Sequence, residues 1–413
     1  MSRGVYIASA VRTPIGKFGG GLAELSAGDL GVITVREALR RAFGTAPAER
    51  TPGSRAARES AAPPRQADEL IFGNARAAGV GPNVARQIAW RSGLGDDVPA
   101  FTINMACASG LRAILLGWQQ ITLGAAEVIV AGGAESMSRV PYLVDARWGM
   151  RMGHQPLVDA MYRDGFLCPL SQMVMGETAE LLAKEYQIGR AEQDEYARES
   201  HRRAARAMES CQFSREIIAV EKTDAKGHST RIEKDEHVRP DVTLEGLGKL
   251  PPVFAKDGTI TAGNASGITD AASAVVLVSE ARLKSLASAP LARIVDATVA
   301  AVEPHRMGIG PVPACRKLEE RSGWKIRDYA SIELNEAFAA QVLACHRELE
   351  FDPARLNPNG GAIALGHPIG ATGARIVTTL VHELGRGQER PRRGLATLCV
   401  SGGLGVALAL EAA

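Results

Sequence analysis

Two points in this chain are reached by the same steps. Ile71-Phe72-Gly73-Asn74-Ala75 lies 33 residues before Cys107, counted from Asn74, and Ile332-Glu333-Leu334-Asn335-Glu336-Ala337 lies 32 residues before His367, counted from Asn335. After Cys107 come Ser109-Gly110, a helical pattern and a strand ending at Gly132-Gly133. After His367 come Gly370 and Gly373, a helical pattern and a strand ending at Gly402-Gly403. The shared punctuation reads as a duplication, and a duplicated chain packs two like halves about a twofold axis. Within the first half, 5–8, 69–72, 98–103 and 128–131 read as buried strands, and 30–43, 84–92 and 109–123 as helices. The second half repeats the rhythm with strands at 331–334, 395–400 and 406–410 and helices at 336–350 and 371–384. Alternating βαβα units imply an α/β layered fold.

Two segments fall outside the repeat. Residues 45–66 are rich in Ala, Pro, Arg and Ser with almost no large apolar side chain, the composition of a flexible surface insertion. Its four arginines read as solvated. Residues 137–267 form a longer departure, in which 190–216 is a charged helical stretch with Ala197, Ala204, Ala205 and Met208 near one face. It reads as a half-exposed helix of an inserted subdomain rather than a nucleic-acid surface. Arg390, Arg392 and Arg393 read as a solvated loop ahead of a strand.

Composition closes off several functions. Forty-eight basic and 46 acidic side chains leave +2, so no overall field recruits nucleic acid or membrane, and 5% aromatics weaken a base-stacking role. The six cysteines are scattered without a C-x-x-C pair, which argues against a zinc cage and a disulfide scaffold; no metal site is expected. No apolar signal core opens the chain and no 18-residue apolar stretch interrupts it, so the expected setting is a reducing cytoplasm. Asn264-Ala265-Ser266 fits the glycosylation triplet but carries no meaning in that setting.

Four residues could carry chemistry. Cys107 sits where a strand hands over to a helix, facing the helix dipole and unpaired N–H groups that would lower its pKa; it is a nucleophile or a small buried hydrophobe. His367 precedes a Pro that can open a helix, so it is held at a helix mouth. Twofold packing would bring that mouth to Cys107, and a neighbouring histidine activates a thiol. Cys399 ends a strand at a glycine turn and is either core or a second thiol acting as acid/base. Asn335 could place a water, donate to an oxyanion or cap a helix.

The chain resembles the thiolases over nearly its whole length outside 45–66. The resemblance rests on Arg12-Thr13-Pro14-Ile15-Gly16-Lys17-Phe18-Gly19-Gly20, the segment Asn104-Met105-Ala106-Cys107-Ala108-Ser109-Gly110-Leu111, and Gly132-Gly133-Ala134-Glu135-Ser136-Met137-Ser138. It continues through Thr261-Ala262-Gly263-Asn264-Ala265-Ser266-Gly267, Asn335-Glu336-Ala337-Phe338-Ala339, the glycine-rich run at 357–375 and Leu398-Cys399-Val400-Ser401-Gly402-Gly403. It implies two βαβαβαββ halves in a five-layered α-β-α-β-α core. The expected division is 1–136 plus 268–288 for the N-terminal half, 137–267 for a loop domain that binds coenzyme A, and 289–413 for the C-terminal half. It also implies a homodimer or homotetramer acting on small-molecule acyl-CoA substrates. Coenzyme A would be substrate and product, with no permanently bound cofactor.

By that resemblance Cys107 accepts the acyl group, Cys399 is acid/base for the acetyl-CoA carbon, and His367 activates Cys107. His367 and a water held by Asn335 would stabilise the enolate oxygen, and the backbone N–H groups of Cys107 and Ser401 the acyl thioester. Arg239 would lie near the adenine and Ser266 near the pantetheine. Met307 and Phe338 would line the acyl end, with Met175 also at the substrate. Two positions depart from the family pattern. Ser401 stands where Gly is usual, and Val174 stands where short-chain acetoacetyl-CoA thiolases carry His, which tilts the reading toward a broader 3-ketoacyl-CoA enzyme. A ketoacyl synthase would need a second histidine or an asparagine at Cys399. A non-catalytic acyl-CoA binder would have lost Cys107, His367 or Cys399, and a papain-like protease has no use for the duplication.

Overall fold

The main strands carry apolar side chains on both faces, so each needs cover above and below. In the computed structural model, which describes residues 3–53, 66–223, 227–386 and 391–413, the chain opens with β1 (Val5–Arg12), β2 (Gly16–Lys17), α1 (Ala27–Phe43), β3 (Glu69–Gly73), α2 (Val84–Arg91), β4 (Ala100–Ile103), α3 (Ser109–Thr122) and β5 (Val128–Ser136). Short hairpins and helices follow: β6 (Tyr142–Leu143) with β7 (Val158–Asp159), β8 (Leu167–Cys168) with β9 (Met173–Val174), α4 (Met175–Glu185), α5 (Arg190–Glu209), β10 (Val220–Thr223) with β11 (Ser229–Ile232), and α6 (Leu244–Gly248). The chain rejoins the main sheet at β12 (Thr269–Ser279) and continues through β13 (Ala292–Ala301), α7 (Pro311–Ser322), β14 (Ser331–Leu334), α8 (Ala339–Leu349), α9 (Ala362–Leu365), α10 (Ile369–Leu384), β15 (Arg393–Val400) and β16 (Leu404–Ala412).

The strand order β14-β15-β16-β13-β1-β12-β5-β3-β4 is one pattern used twice. In the first half β4, β3 and β5 are parallel, and β12 and β1 follow antiparallel. In the second β14 and β15 are parallel, and β16 and β13 follow antiparallel. Pairing of β1 with β13, Val5 opposite Ile294, joins the two. The counterpart of β4 is reduced to a single parallel bridge between Ile332 and Leu356. That match makes α3 and α10 equivalent helices.

Side-chain alternation builds the layers. Ile129, Ala131, Val275 and Leu277 face α3 (Leu111, Ile114, Leu115), α10 (Ile376, Val377, Leu380) and the second half's Leu398, Val406 and Leu408. Their neighbours Val128, Val130, Val276 and Val278 face the other way, onto Val35 and Leu39 of α1 and Ile88 of α2. Leu395, Ala407 and Ala409 face Val312 and Leu318 of α7 and Val342 and Cys345 of α8. The result is helix, sheet, helix, sheet, helix, with α3 and α10 in the middle. Truncating a central side chain such as Leu380 to Ala would cost about 2–5 kcal/mol.

Several expectations change. The strand expected over 98–103 begins at Ala100 and is only half-buried, because it edges the sheet with β3 alone beside it. The helix expected from 336 begins at Ala339. The residues before it stay extended, with Phe338 bridging Ala265, and the buried Glu336 carboxylate accepts from Tyr196 Oη, Ser200 Oγ, Asn357 Nδ2 and Ile363 N. Asn335 is therefore not a helix cap. Of the 45–66 insertion, 54–65 lie outside the described residues. At its near end Arg50 is buried rather than solvated, paired with Asp96 at 2.8 Å and lying over the Trp90 ring. At its far end Gln66 Nε2 donates to the Thr45 carbonyl at 3.3 Å. Helix α5 buries Ala197, Ala204 and Ala207, leaving Ala205 and Met208 half-buried. Arg390 lies outside the described residues. Arg392 is not solvated but donates to the last carbonyls of α10, Glu383 and Leu384, and Arg393 opens β15 with its guanidinium 4.3 Å from the Trp324 ring. Asn264 of the glycosylation triplet is fully buried, its amide given to Asp194 and the Thr259 carbonyl.

Candidate active site

The first turns of α3 and α10 touch because glycine stands at each contact. A Cβ on Gly373 would lie 2.3 Å from Leu111 N, one on Gly110 2.8 Å from Ala374 N, and one on Gly133 2.1 Å from Gly370 O. This contact brings the segments that carry Cys107 and His367 to one place. Glu135, fully buried at the end of β5, fastens it: its carboxylate accepts from Gly370 N at 2.8 Å, Ala75 N at 3.0 Å, Arg76 N at 3.1 Å and Asn74 Nδ2 at 2.8 Å.

Cys107 occupies the turn from β4 into α3. Asn104 Oδ1 accepts from Ala106 N, and Ser109 Oγ accepts from Met105 N while donating to the Ala106 carbonyl. These bonds hold Ala106 at a positive φ of 44°, strain of the kind that collects at functional sites. Ala108 at the N-cap supplies no side-chain acceptor, which leaves the helix mouth open. The thiol sits above its usual range: burial pushes it up, and the Arg76 charge and the N–H groups of Ser401 and Cys107 itself pull it back only in part. The expected lowering by the helix dipole is thus outweighed by desolvation. Ser401 reaches the sulfur from the turn between β15 and β16, where Gly402 and Gly403 take φ of 88° and 84°. A Cβ on Gly403 would also meet the Val302 carbonyl at 2.3 Å.

His367 is buried, its backbone N–H given to the Gly267 carbonyl. Nδ1 lies 2.7 Å from Thr372 Oγ1, whose own proton goes to the Pro368 carbonyl at 3.1 Å. Thr372 therefore accepts from Nδ1–H, and Nε2 is left as a free lone pair. That Nε2 is buried without a partner, as are both side-chain polar atoms of Asn335, which is fully buried. Burial and the charges of Arg375 and Arg76 push the imidazole down to about 3, so it is neutral. Cys399 lies fully buried one residue before the end of β15; burial, and then any charge that forms on Cys107, push its thiol well up. Around Cys399 pack Met307, Phe338, Ala337, Ala179 and Ile260, with Met175 and Phe254 at the rim. Ser266 N donates to the Ala337 carbonyl beside that cluster.

Two family models cover this chain: the thiolase N-terminal domain matches residues 5–281 and the thiolase C-terminal domain 288–412. The chain belongs to the thiolase family. Among its relatives are acetyl-CoA acetyltransferases of Pseudomonas aeruginosa, 47% identical over 98% of each chain, and of Cupriavidus necator, 45% identical over 98% of this chain and 99% of that one. Solved thiolase structures superpose closely. The Bacillus anthracis acetyl-CoA acetyltransferase gives a TM-score of 0.91 at 43% identity, covering 100% of this chain and 99% of that one. Human mitochondrial 3-ketoacyl-CoA thiolase in complex with CoA gives 0.89 at 40% identity, covering 100% and 98%.

In this thiolase Ser401 N–H reaches Cys107, Cys399 lies within charge range of Cys107, and His367 stands two residues ahead of α10, while Met175, Met307 and Phe338 share one apolar cluster with Cys399. Arg239 does not join them: it is exposed, its backbone N–H bonded to His201 Nδ1. Val174 is buried one residue before Met175. Sequence reasoning missed Glu135 and Thr372, though both stand inside quoted motifs, because nothing local says what they bond. It also missed Phe254, edge-on to Phe338 at 6.1 Å, and Arg76, three residues past β3. Cys168 was passed over too: burial pushes its thiol up, but the Ser171 hydroxyl and N–H groups including that of Gly402 outweigh it. Among the described residues no group of His, Cys, Asp or Glu could hold a metal, and no helix is long and apolar enough to cross a membrane.

Proposed function

We propose that this thiolase cleaves 3-ketoacyl-CoA to acetyl-CoA and a shortened acyl-CoA, and runs the reverse Claisen condensation, through an acyl-Cys107 intermediate. Cys107 passes its proton to His367 Nε2 as its sulfur bonds to the keto carbon. The carbon–carbon bond breaks, and the acetyl-CoA enolate takes its proton from Cys399. Coenzyme A then gives its thiol proton to Cys399 and attacks the acyl-cysteine, and Cys107 leaves and recovers its proton from His367. Two half-reactions through a covalent intermediate give ping-pong kinetics.

The reading rests on the buried polar atoms left without partners, His367 Nε2 and the Asn335 amide. Unpaired buried polar groups are costly to a fold, so each calls for a partner. Nε2, once protonated, and a water held by Asn335 would meet the enolate oxygen, and the N–H groups of Cys107 and Ser401 the acyl oxygen. Each such preorganised donor lowers the barrier by about 3–4 kcal/mol. Coenzyme A would lie along 137–267, with Ser266 at the pantetheine, Met175, Met307 and Phe338 at the acyl end, and the exposed Arg239 at the adenine. The half-exposed edge strand β4 and the exposed Trp148, Met150 and Met152 support a homodimer or homotetramer, and the bacterial relatives fit a cytoplasmic setting.

Val174 in place of a histidine favours a broad 3-ketoacyl-CoA thiolase. The names of the Pseudomonas and Cupriavidus relatives favour a short-chain acetyl-CoA C-acetyltransferase. The test is CoA-dependent cleavage of acetoacetyl-CoA and of a medium-chain 3-ketoacyl-CoA side by side, with Cys107→Ala as control. Comparable rates on both support the broad enzyme, and cleavage of acetoacetyl-CoA alone supports the short-chain one. Turnover by Cys107→Ala would overturn the acyl-cysteine.

A further inference from the structure

Arg76 is 6% exposed, yet among the described residues no carboxylate lies within ion-pair distance of it. Its Nε has no hydrogen-bond partner, and among the described residues its only side-chain hydrogen bond is a long one, 3.4 Å from Nη1 to the Ala75 carbonyl. The Glu135 carboxylate feels this charge without pairing with it, and a buried guanidinium short of a paired counter-ion is expensive unless a further negative charge forms nearby. The protein nevertheless holds it in place from three sides. Glu135 fixes its backbone through the N–H. Its guanidinium carbon lies 5.8 Å from the Phe166 ring centre. The turn over Tyr162–Phe166 passes so close that a Cβ on Gly165 would lie 2.3 Å from Nη2. Phe166 in turn packs with Cys107 in one cluster containing Ala75, Met137, Met161 and Ile369.

We propose that Arg76 is a positioning residue of the thiolase reaction, the fixed positive charge against which the Cys107 thiolate forms in acylation and leaves in deacylation. The inference rests on Cys107 being the nucleophile. The other groups facing that thiol do not replace Arg76. Glu135 on β5 opposes the thiolate, His367 before α10 is neutral, and Cys399 on β15 is a protonated thiol. Arg163 and Asp164 of the neighbouring turn pair with each other in the open. Arg76 is the largest charge effect favouring the Cys107 anion, and it also disfavours a charged His367. One cation thus steadies the thiolate and adds to burial and Arg375 in keeping the base neutral.

The test is the pH dependence of Cys107 alkylation by iodoacetamide, read on the Cys107 peptide by mass spectrometry because Cys211 is exposed. Arg76→Gln is expected to raise the alkylation midpoint by about one pH unit, a tenfold loss of thiolate below it. Arg76→Lys is expected to restore most of the shift. A folded Arg76→Gln with the wild-type midpoint would overturn the proposal, whatever happens to turnover. Should that variant fail to fold, Gly165→Ala displaces the guanidinium without removing it and is expected to raise the midpoint in the same direction; an unchanged midpoint there overturns the proposal equally. Alkylation is read whether or not Cys107 proves to be the nucleophile, and turnover by Cys107→Ala would expose that separate failure.

Discussion

Thr372 decides what His367 can do. Because its hydroxyl proton is given to Pro368, it takes the Nδ1 proton and leaves Nε2 as the base. Thr372→Val keeps the shape and removes the acceptor, stranding a buried N–H at a cost of about 1–3 kcal/mol, so acylation should slow by roughly tenfold to a hundredfold. Stopped-flow acylation by acetyl-CoA would measure it, and an unchanged rate would remove Thr372 from the site. The depressed histidine also fixes a pH profile. An ordinary imidazole would protonate near about 6.5 and shut the base off below it. His367, pushed to about 3 by burial, stays neutral, so the acylation rate should show no inflection near neutral pH. Cys107 and His367 were legible in the sequence because each sits beside glycines at the mouth of a helix. The state of the thiol was not, since burial is set by residues far along the chain, and neither were the bonds of Glu135 and Thr372.

At the scale of elements, strand and helix assignments held wherever an apolar run is covered on both faces, as in β5, β14 and α10. They failed where a tertiary bond overrides propensity. The extended stretch before α8 is the clearest case, because the Glu336 carboxylate is already taken by four donors from α5 and the 357–363 segment. The α3–α10 contact makes its own prediction. Gly373→Ala places a methyl against Leu111 backbone, which no side-chain rotation relieves. Overpacking of that kind costs about 1–3 kcal/mol. Activity should fall further than stability, because the helices part where Cys107 and His367 meet. Thermal melting and turnover on the same sample would separate the two losses.

For the whole molecule, two buried and two half-buried histidines set an acid limit. Burial lowers His201 to about 4 and His367 to about 3, and it lowers His237 and His382 as well. Below their unfolded pKa of about 6.5 the unfolded chain binds protons that the folded one refuses, so each contributes stability that is lost as pH falls toward its folded value. Burial raises Glu135 and Asp270, which act in the opposite sense. Comparing variants isolates one group: His201→Gln can still accept from Arg239 N and should lose less melting temperature than wild type between pH 7 and 5. Equal losses would show that His201 does not contribute. The two-halved architecture was the most legible feature of all, because matched spacing survives where side chains have diverged. The fate of Arg50 was hidden, since its partners Asp96 and Trp90 lie beyond the insertion.

The bond from Gln66 to Thr45 has an outcome for protein engineering. The chain leaves helix α1 and enters β3 from ends tied together at Thr45 and Gln66, and lengthening a connection whose ends already meet costs little. A peptide tag or a small folded cargo joined between those two ends would hang from that one latch.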